Sequence, residues 1–67
     1  MAKVTKDTVI AEVLRMDAAT APIFMRHGMH CLGWAGASME SIGDAARVHG
    51  IDVDVLLNDL NEFFDKQ

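Results

Sequence analysis

The chain carries its clearest helical pattern in the run Asp52-Val53-Asp54-Val55-Leu56-Leu57-Asn58-Asp59-Leu60-Asn61-Glu62-Phe63-Phe64-Asp65. Asp52 is a favoured N-cap residue, and Ile51 before it can pack against Leu56 as a hydrophobic staple. The apolar positions that form one broad helix face are Val53, Leu56, Leu57, Leu60 and Phe64. The acidic positions outside that face, which are typical of a solvated surface, are Asp54, Asp59, Glu62 and Asp65. The apolar face needs a core to cover it, and the preceding sequence has to supply that core.

A first helix is predicted near the N-terminus. Its apolar face repeats at helical spacing over Val9, Ile10, Val13 and Leu14. Asp7 or Thr8 can cap this helix, which we expect to run from about residue 8 to residue 16.

A second helix is predicted to begin after Asp17 or Thr20. Pro22 disfavours a helical residue before it, which makes Thr20 or Ala21 a natural boundary. The face of this helix is formed by Ile23, Phe24 and His27. Gly28 then fits the left-handed position past the helix end.

A third helix is predicted after Ser38, which is a plausible N-cap, with Glu40 placed favourably against the helix dipole. Its inward stripe comprises Ile42, Ala45, Ala46 and His49. We expect His49 to be hydrogen-bonded and packed near the core, and Gly50 to end the helix. Nothing in the sequence alternates as a half-buried strand does. The fold class is therefore all-α, a single domain over residues 1–67 with four to five short helices around one core.

Composition excludes several classes of function. The net charge is -4 and the six basic residues are scattered, so no nucleic-acid partner is expected. No apolar run approaches the ~20 residues of a membrane span, and Asp7 and Glu12 interrupt the segment where a signal peptide would lie. The single cysteine cannot form an internal disulfide. These features predict a cytoplasmic protein with no membrane partner.

The reactive residues are concentrated in the run His27-Gly28-Met29-His30-Cys31-Leu32-Gly33-Trp34. Gly33 and Gly36 have poor helix propensity, so residues 29–37 are predicted to form a structured loop with room for one helical turn. We call this segment, which holds the only cysteine, the Cys31 loop.

The residues alone leave three interpretations of this loop. Cys31 could be a reactive thiol whose thiolate is stabilised by His27 and His30, or a small, inert, partly buried side chain. His27, His30 and Cys31, with His49 as a further candidate, have the ligand types that zinc, copper or iron use, but no second ligand pair at zinc spacing follows. Trp34 is expected to pack as an aromatic side chain. The remaining candidates, which can fill gaps in the core or form an adaptable partner surface, are Met25, Met29 and Met39.

The sequence resembles the hybrid-cluster-protein-associated redox-disulfide domain family, a group of small all-helical bacterial and archaeal domains. The residues that carry the resemblance are Val9 to Leu14, Pro22 to Phe24, His27 to Gly33, Ala37 to Ser41, Ala45-Ala46, His49 to Asp52 and Leu56 to Asn61. The resemblance implies a Cys-x-x-Cys redox pair in the loop after the second helix. Cys31 matches the first cysteine, whereas Trp34 stands at the second. One thiol cannot cycle with itself, so any such chemistry needs an external thiol.

We therefore expect a small accessory domain rather than an enzyme, which acts through the Cys31 loop as a redox-linked or partner-binding surface. No cofactor is expected. A second hypothesis is a mono-thiol redox protein in which Cys31 forms a mixed disulfide with glutathione, with a protein partner, or with a second copy as a homodimer. A third hypothesis is metal binding through His27, His30 and Cys31.

Overall fold

The computed structural model describes residues 4–30 and 39–66, and within them the chain is all-α as predicted. The helices are α1 (Ile10–Met16), α2 (Ala21–Arg26), α3 (Ile42–His49) and α4 (Val53–Asp65), with a 3₁₀ turn at Ala18–Thr20 between α1 and α2. The described helices include none that is both long and apolar enough to cross a membrane. Bridging between extended residues in the described segments is confined to one antiparallel pair, Val9 with Ser41.

The core lies where the inner faces of the four helices meet. Its buried apolar residues are Val4, Ile10, Val13, Ile23, Phe24, Met29, Ile42, Ala45, Leu56 and Leu60. The predicted face of α4 is confirmed, since Leu56 and Leu60 are fully buried while Val53, Leu57 and Phe64 are partly buried against them. Burying side chains of this size contributes about 1.5–3 kcal/mol each. The core therefore holds together helices that are too short to be stable alone.

The starts of α1 and α3 are bonded to each other, and α1 has no side-chain cap. Ile10 donates its N–H to the Glu40 carbonyl at 3.0 Å, and Ile42 donates to the Thr8 carbonyl at 2.9 Å. The N-cap of α1 is Val9, which makes no side-chain cap, so the predicted cap at Asp7 or Thr8 was wrong. The first N–H groups of a helix have no partner within the helix and need other acceptors. At the start of α1, one such acceptor comes from a distant segment of the chain rather than from a neighbouring side chain.

The cap of α3 is also shifted from its predicted place. Ser41 accepts a hydrogen bond from the Asp44 N–H at 3.1 Å, and the helix begins after it. The predicted cap, Ser38, lies outside the described residues, and Glu40 precedes the cap rather than occupying the first turn. The predicted end of α1 at residue 16 and the predicted start of α2 at Thr20 or Ala21 are confirmed. Asp52 caps α4 by accepting from Asp54 and Val55.

His49 corrects a further prediction, because its side chain is exposed and not packed near the core. The buried positions of α3 are Ile42, Ala45 and Ala46. His49 occupies the last turn, where the chain leaves the core through Gly50 at a left-handed φ of 68°. The predicted helix end at Gly50 is confirmed, whereas the prediction that His49 belongs to the inward stripe was wrong.

The N-terminal segment is attached to the helices by one side-chain amide and one close backbone contact. Val4, which is 3% exposed, donates its N–H to Asn61 Oδ1 at 2.7 Å, and Asn61 Nδ2 donates to the Val4 carbonyl at 2.9 Å. Gly43 donates its N–H to the Lys6 carbonyl at 2.8 Å. A Cβ at position 43 would lie 3.1 Å from that same carbonyl oxygen, so glycine allows α3 to approach the segment.

The two hydrogen bonds between the Asn61 side chain and the Val4 backbone give a stability prediction. Asn61→Ala leaves both polar groups of the buried Val4 backbone without this partner, so we expect the free energy of unfolding to fall by about 2 kcal/mol. Asn58→Ala is the matched control, because Asn58 is exposed on the same helix. Urea denaturation of both variants checks the prediction. If the Asn61→Ala and Asn58→Ala variants were equally stable, the stabilising role of the Asn61 hydrogen bonds would be contradicted.

Candidate functional site

The Cys31 loop begins where α2 ends, and the packing of α2 decides how it is presented. Thr20 is the N-cap of α2 and is fully buried, with its hydroxyl donating to the Asp17 carbonyl at 2.7 Å. Pro22 lies in the first turn, where its missing N–H costs no helical hydrogen bond. Ile23 and Phe24 point into the core. The same helix face carries His27 toward α4.

The end of α2 is a Schellman motif centred on Gly28. Gly28 has a φ of 93° and donates its N–H to the Met25 carbonyl at 2.9 Å. Met29 donates to the Phe24 carbonyl at 3.0 Å, and both of these side chains are fully buried. The two backbone bonds and the apolar pair are the three components of this type of helix end. The predicted left-handed position of Gly28 is confirmed.

Met29 anchors the N-terminal side of the Cys31 loop. Its side chain is 0% exposed, whereas the next residue, His30, is exposed. The interpretation of Met29 as a gap-filling core residue is confirmed. Met25 and Met39 are 47% and 70% exposed, so they remain available as surface.

The C-terminal side of the loop is anchored independently. Glu40 accepts the Ile10 N–H, and Ser41 bridges Val9, so the chain is tied to the start of α1 just after the loop. Of the predicted site residues, the structure places His27, Gly28, Met29 and His30. The others lie outside the described residues: Cys31, Leu32, Gly33 and Trp34.

His27 makes a short polar contact beside the start of the loop, and its partner was not predicted. His27 Nε2 lies 2.6 Å from Asp59 Oδ2, joining the end of α2 to the middle of α4. The side chains are 16% and 34% exposed. Asp59 had been assigned to the solvated face of α4. Asp59 directly precedes Leu60, which is buried in the core. A residue at the edge of an apolar helix face can reach a neighbouring helix, so this position could have indicated a contact with α2.

The metal hypothesis gains no support from the described part of the chain. No group of three or more His, Cys, Asp or Glu side chains there could hold a metal ion. His27 is bonded to Asp59, and His30 and His49 are exposed on different elements.

An open groove lies beside Asp59 between α2 and α4. Its volume is about 320 Å³. It is lined by Ala19, Pro22, Ile23, Arg26, Asp59, Glu62, Phe63 and Lys66. Lys66 contacts Glu62 across one helical turn at 3.5 Å, so the groove carries charges of both signs and selects no single ligand charge.

Comparison with known proteins identifies the family. Residues 4–57, which include the whole Cys31 loop, match the domain of unknown function DUF1858. The chain belongs to the DUF1858 family. The fold also matches the solution NMR structure of a protein from Clostridium thermocellum, with 61% sequence identity and a TM-score of 0.87. The match covers 97% of this chain and 93% of that one. No protein among those with curated descriptions matches the DUF1858 chain.

The Schellman motif gives a prediction specific to the loop anchor. A Cβ at Gly28 would meet no atom within 4 Å, so Gly28→Ala acts only through its left-handed backbone. We expect it to destabilise the domain by about 1–2 kcal/mol. Gly28→Asn should cost less, since asparagine enters this region more readily. Thermal unfolding of both variants and of the wild type tests the motif. A Gly28→Ala variant as stable as the wild type would refute it.

Proposed function

We propose that this DUF1858 domain is a small accessory module that acts through the Cys31 loop as a redox-linked surface for a partner thiol. The observation that carries the proposal is the double anchoring of the loop. Met29, the first residue of the loop, is buried, and Glu40 and Ser41, which follow the loop, are bonded to the start of α1. A segment held at both ends by the core can present one side chain to a partner without unfolding the domain.

The redox part of the proposal rests on the resemblance to the hybrid-cluster-protein-associated redox-disulfide domains. Cys31 is the only cysteine, and Trp34 occupies the position of the second one. A disulfide at Cys31 therefore needs a thiol from glutathione, from a protein partner or from a second copy. A reducing cytoplasm suits this unpaired thiol.

Exposed methionines support a protein partner. Met25 and Met39 stand on either side of the loop in the sequence, and both are at least 47% exposed. Methionine side chains are flexible and polarizable, so they adapt to different partner surfaces. Exposed apolar side chains that flank the loop in the sequence favour docking of a protein over reaction with small thiols alone.

Accessibility of the thiol is the first test. We expect iodoacetamide to label Cys31 in the native domain about as fast as in urea-unfolded protein, within roughly a factor of ten. Cys31→Ser is the control for labelling elsewhere. Mass spectrometry of the intact protein gives the rate. Labelling that requires denaturant would show that Cys31 is buried, and the proposal would fail.

Mixed-disulfide formation is the second test. The Cys31 thiolate attacks oxidised glutathione, forming one sulfur–sulfur bond while glutathione leaves as its thiolate. We expect a mass increase of one glutathionyl group that dithiothreitol reverses and that Cys31→Ser abolishes. A reactive thiol that yields only unmodified monomer, seen also on non-reducing gels, argues for a docking role without redox exchange.

A further inference from the structure

The groove between α2 and α4 has two walls with the same helical spacing. The α2 wall, which begins in the 3₁₀ turn that leads into α2, is formed by Ala19, Pro22, Ile23 and Arg26. The α4 wall is formed by Asp59, Glu62, Phe63 and Lys66. Each set advances along the chain by three, one and three residues, so each lies on one face of a helix. Two adjacent faces of this kind form a surface against which further helices can pack.

Arg26 is the charged residue of the α2 wall. The 2.6 Å contact between His27 Nε2 and Asp59 Oδ2 sets the end of α2 beside Asp59, so Arg26 lies at the acidic end of the groove. None of the described carboxylates, however, comes within ion-pair distance of Arg26, which is exposed. The Arg26 guanidinium is therefore accessible to a carboxylate of another molecule.

The more accessible carboxylate of the α4 wall is that of Glu62. Asp59 is bonded to His27 and its side chain is 34% exposed, whereas the Glu62 side chain is 61% exposed. The contact of Glu62 with Lys66, at 3.5 Å, joins two exposed side chains one helical turn apart, and such pairs contribute little to stability. An arginine from another molecule can therefore bind Glu62 without breaking a buried contact.

The mixed charge of the groove decides what can cover it. The α2 wall carries one positive charge, whereas the α4 wall carries two carboxylates and one lysine. A second copy of the chain matches both walls, because a two-fold rotation about an axis along the groove lays the α2 wall of each copy on the α4 wall of the other. The Arg26 end of each copy then meets the acidic end of its counterpart, and Pro22 meets the end that carries Phe63.

We propose that this groove is a dimerisation surface and that its occupant is a second copy of the chain. In the two-fold symmetric dimer, Arg26 of each copy pairs with Glu62 of the other, and the apolar residues of the two walls meet along the seam. The pairing occurs twice, because both copies contribute the same surface. The dimer needs no bond to Cys31, so it forms under reducing conditions and goes beyond the function proposed for the Cys31 loop.

Three substitutions test the pairing through charge. Arg26→Glu sets two carboxylates against each other at both contacts, and Glu62→Arg sets two guanidinium groups against each other. Arg15→Glu is the matched control, because it makes the same change of charge as Arg26→Glu at an exposed residue of α1 that does not line the groove. All three positions are exposed, so circular dichroism should show the fold of the wild type.

The dimer fraction is measured by sedimentation equilibrium of the full chain in dithiothreitol. We expect a wild-type dissociation constant of about 100 µM, because an interface confined to two short helix faces belongs to the weak, reversible class. Arg26→Glu and Glu62→Arg should each weaken dimerisation at least about tenfold, since like charges that face each other across an interface repel. An equimolar mixture of those two variants should dimerise as the wild type does, because each presents the charge that the other needs. Arg15→Glu should behave as the wild type.

Three results would overturn the proposal. A wild type that stays monomeric up to about 1 mM leaves the groove to a different partner. A dimer that none of the variants weakens, or that all three weaken equally, does not form at this groove. Single variants that are monomeric both alone and in the mixture exclude the reciprocal pairing. None of these results changes the labelling of Cys31, which tests the proposed function separately.

Discussion

Burial of Met29 directly after the reversal at Gly28 is the constraint on which the candidate site depends. The turn places Met29 in the core beside Phe24 and leaves the next residue exposed. Because the Met29 N–H is bonded to the Phe24 carbonyl, the start of the loop is fixed to α2 by backbone as well as by side chain. Loops carry function when a rigid scaffold positions them, and here the scaffold reaches to within two residues of the thiol.

The far end of the loop depends on a different part of the core. The bonds between the starts of α1 and α3 join residues 8–10 to residues 40–42. Asn61 and Gly43 then hold the segment before α1 against α4 and α3. The second anchor is therefore a long-range contact, whereas the first is a local turn whose Met29 is buried in the core, so a loss of core packing would affect both ends of the loop.

The sequence predicts the fold where the signal is local. The apolar spacing of α4, its Asp52 cap and the glycines at 28 and 50 all depend on neighbouring residues, and each was placed correctly. The cap of α1 was missed because the α1 and α3 starts exchange hydrogen bonds across about 30 residues of sequence, and no local pattern records that exchange. The cap of α3 is a local one at Ser41, three residues after the predicted Ser38. His49 was misplaced because helical periodicity does not show where a short helix leaves the core.

The candidate site was likewise predicted from local sequence signals and missed where it depends on long-range contacts. His27 was singled out from sequence, but its partner Asp59 lies 32 positions away on a helix whose packing angle the sequence does not specify. Family membership places the loop within a recognised domain.

Amide hydrogen exchange at Met29 tests the central claim that the loop starts from a fixed anchor. If the turn at Gly28 is part of the core, the Met29 amide opens only with global unfolding and exchanges as slowly as the amide of the buried Leu60. Exchange of the Met29 amide at the rate of an exposed, unbonded amide, while Leu60 stays protected, would contradict the account.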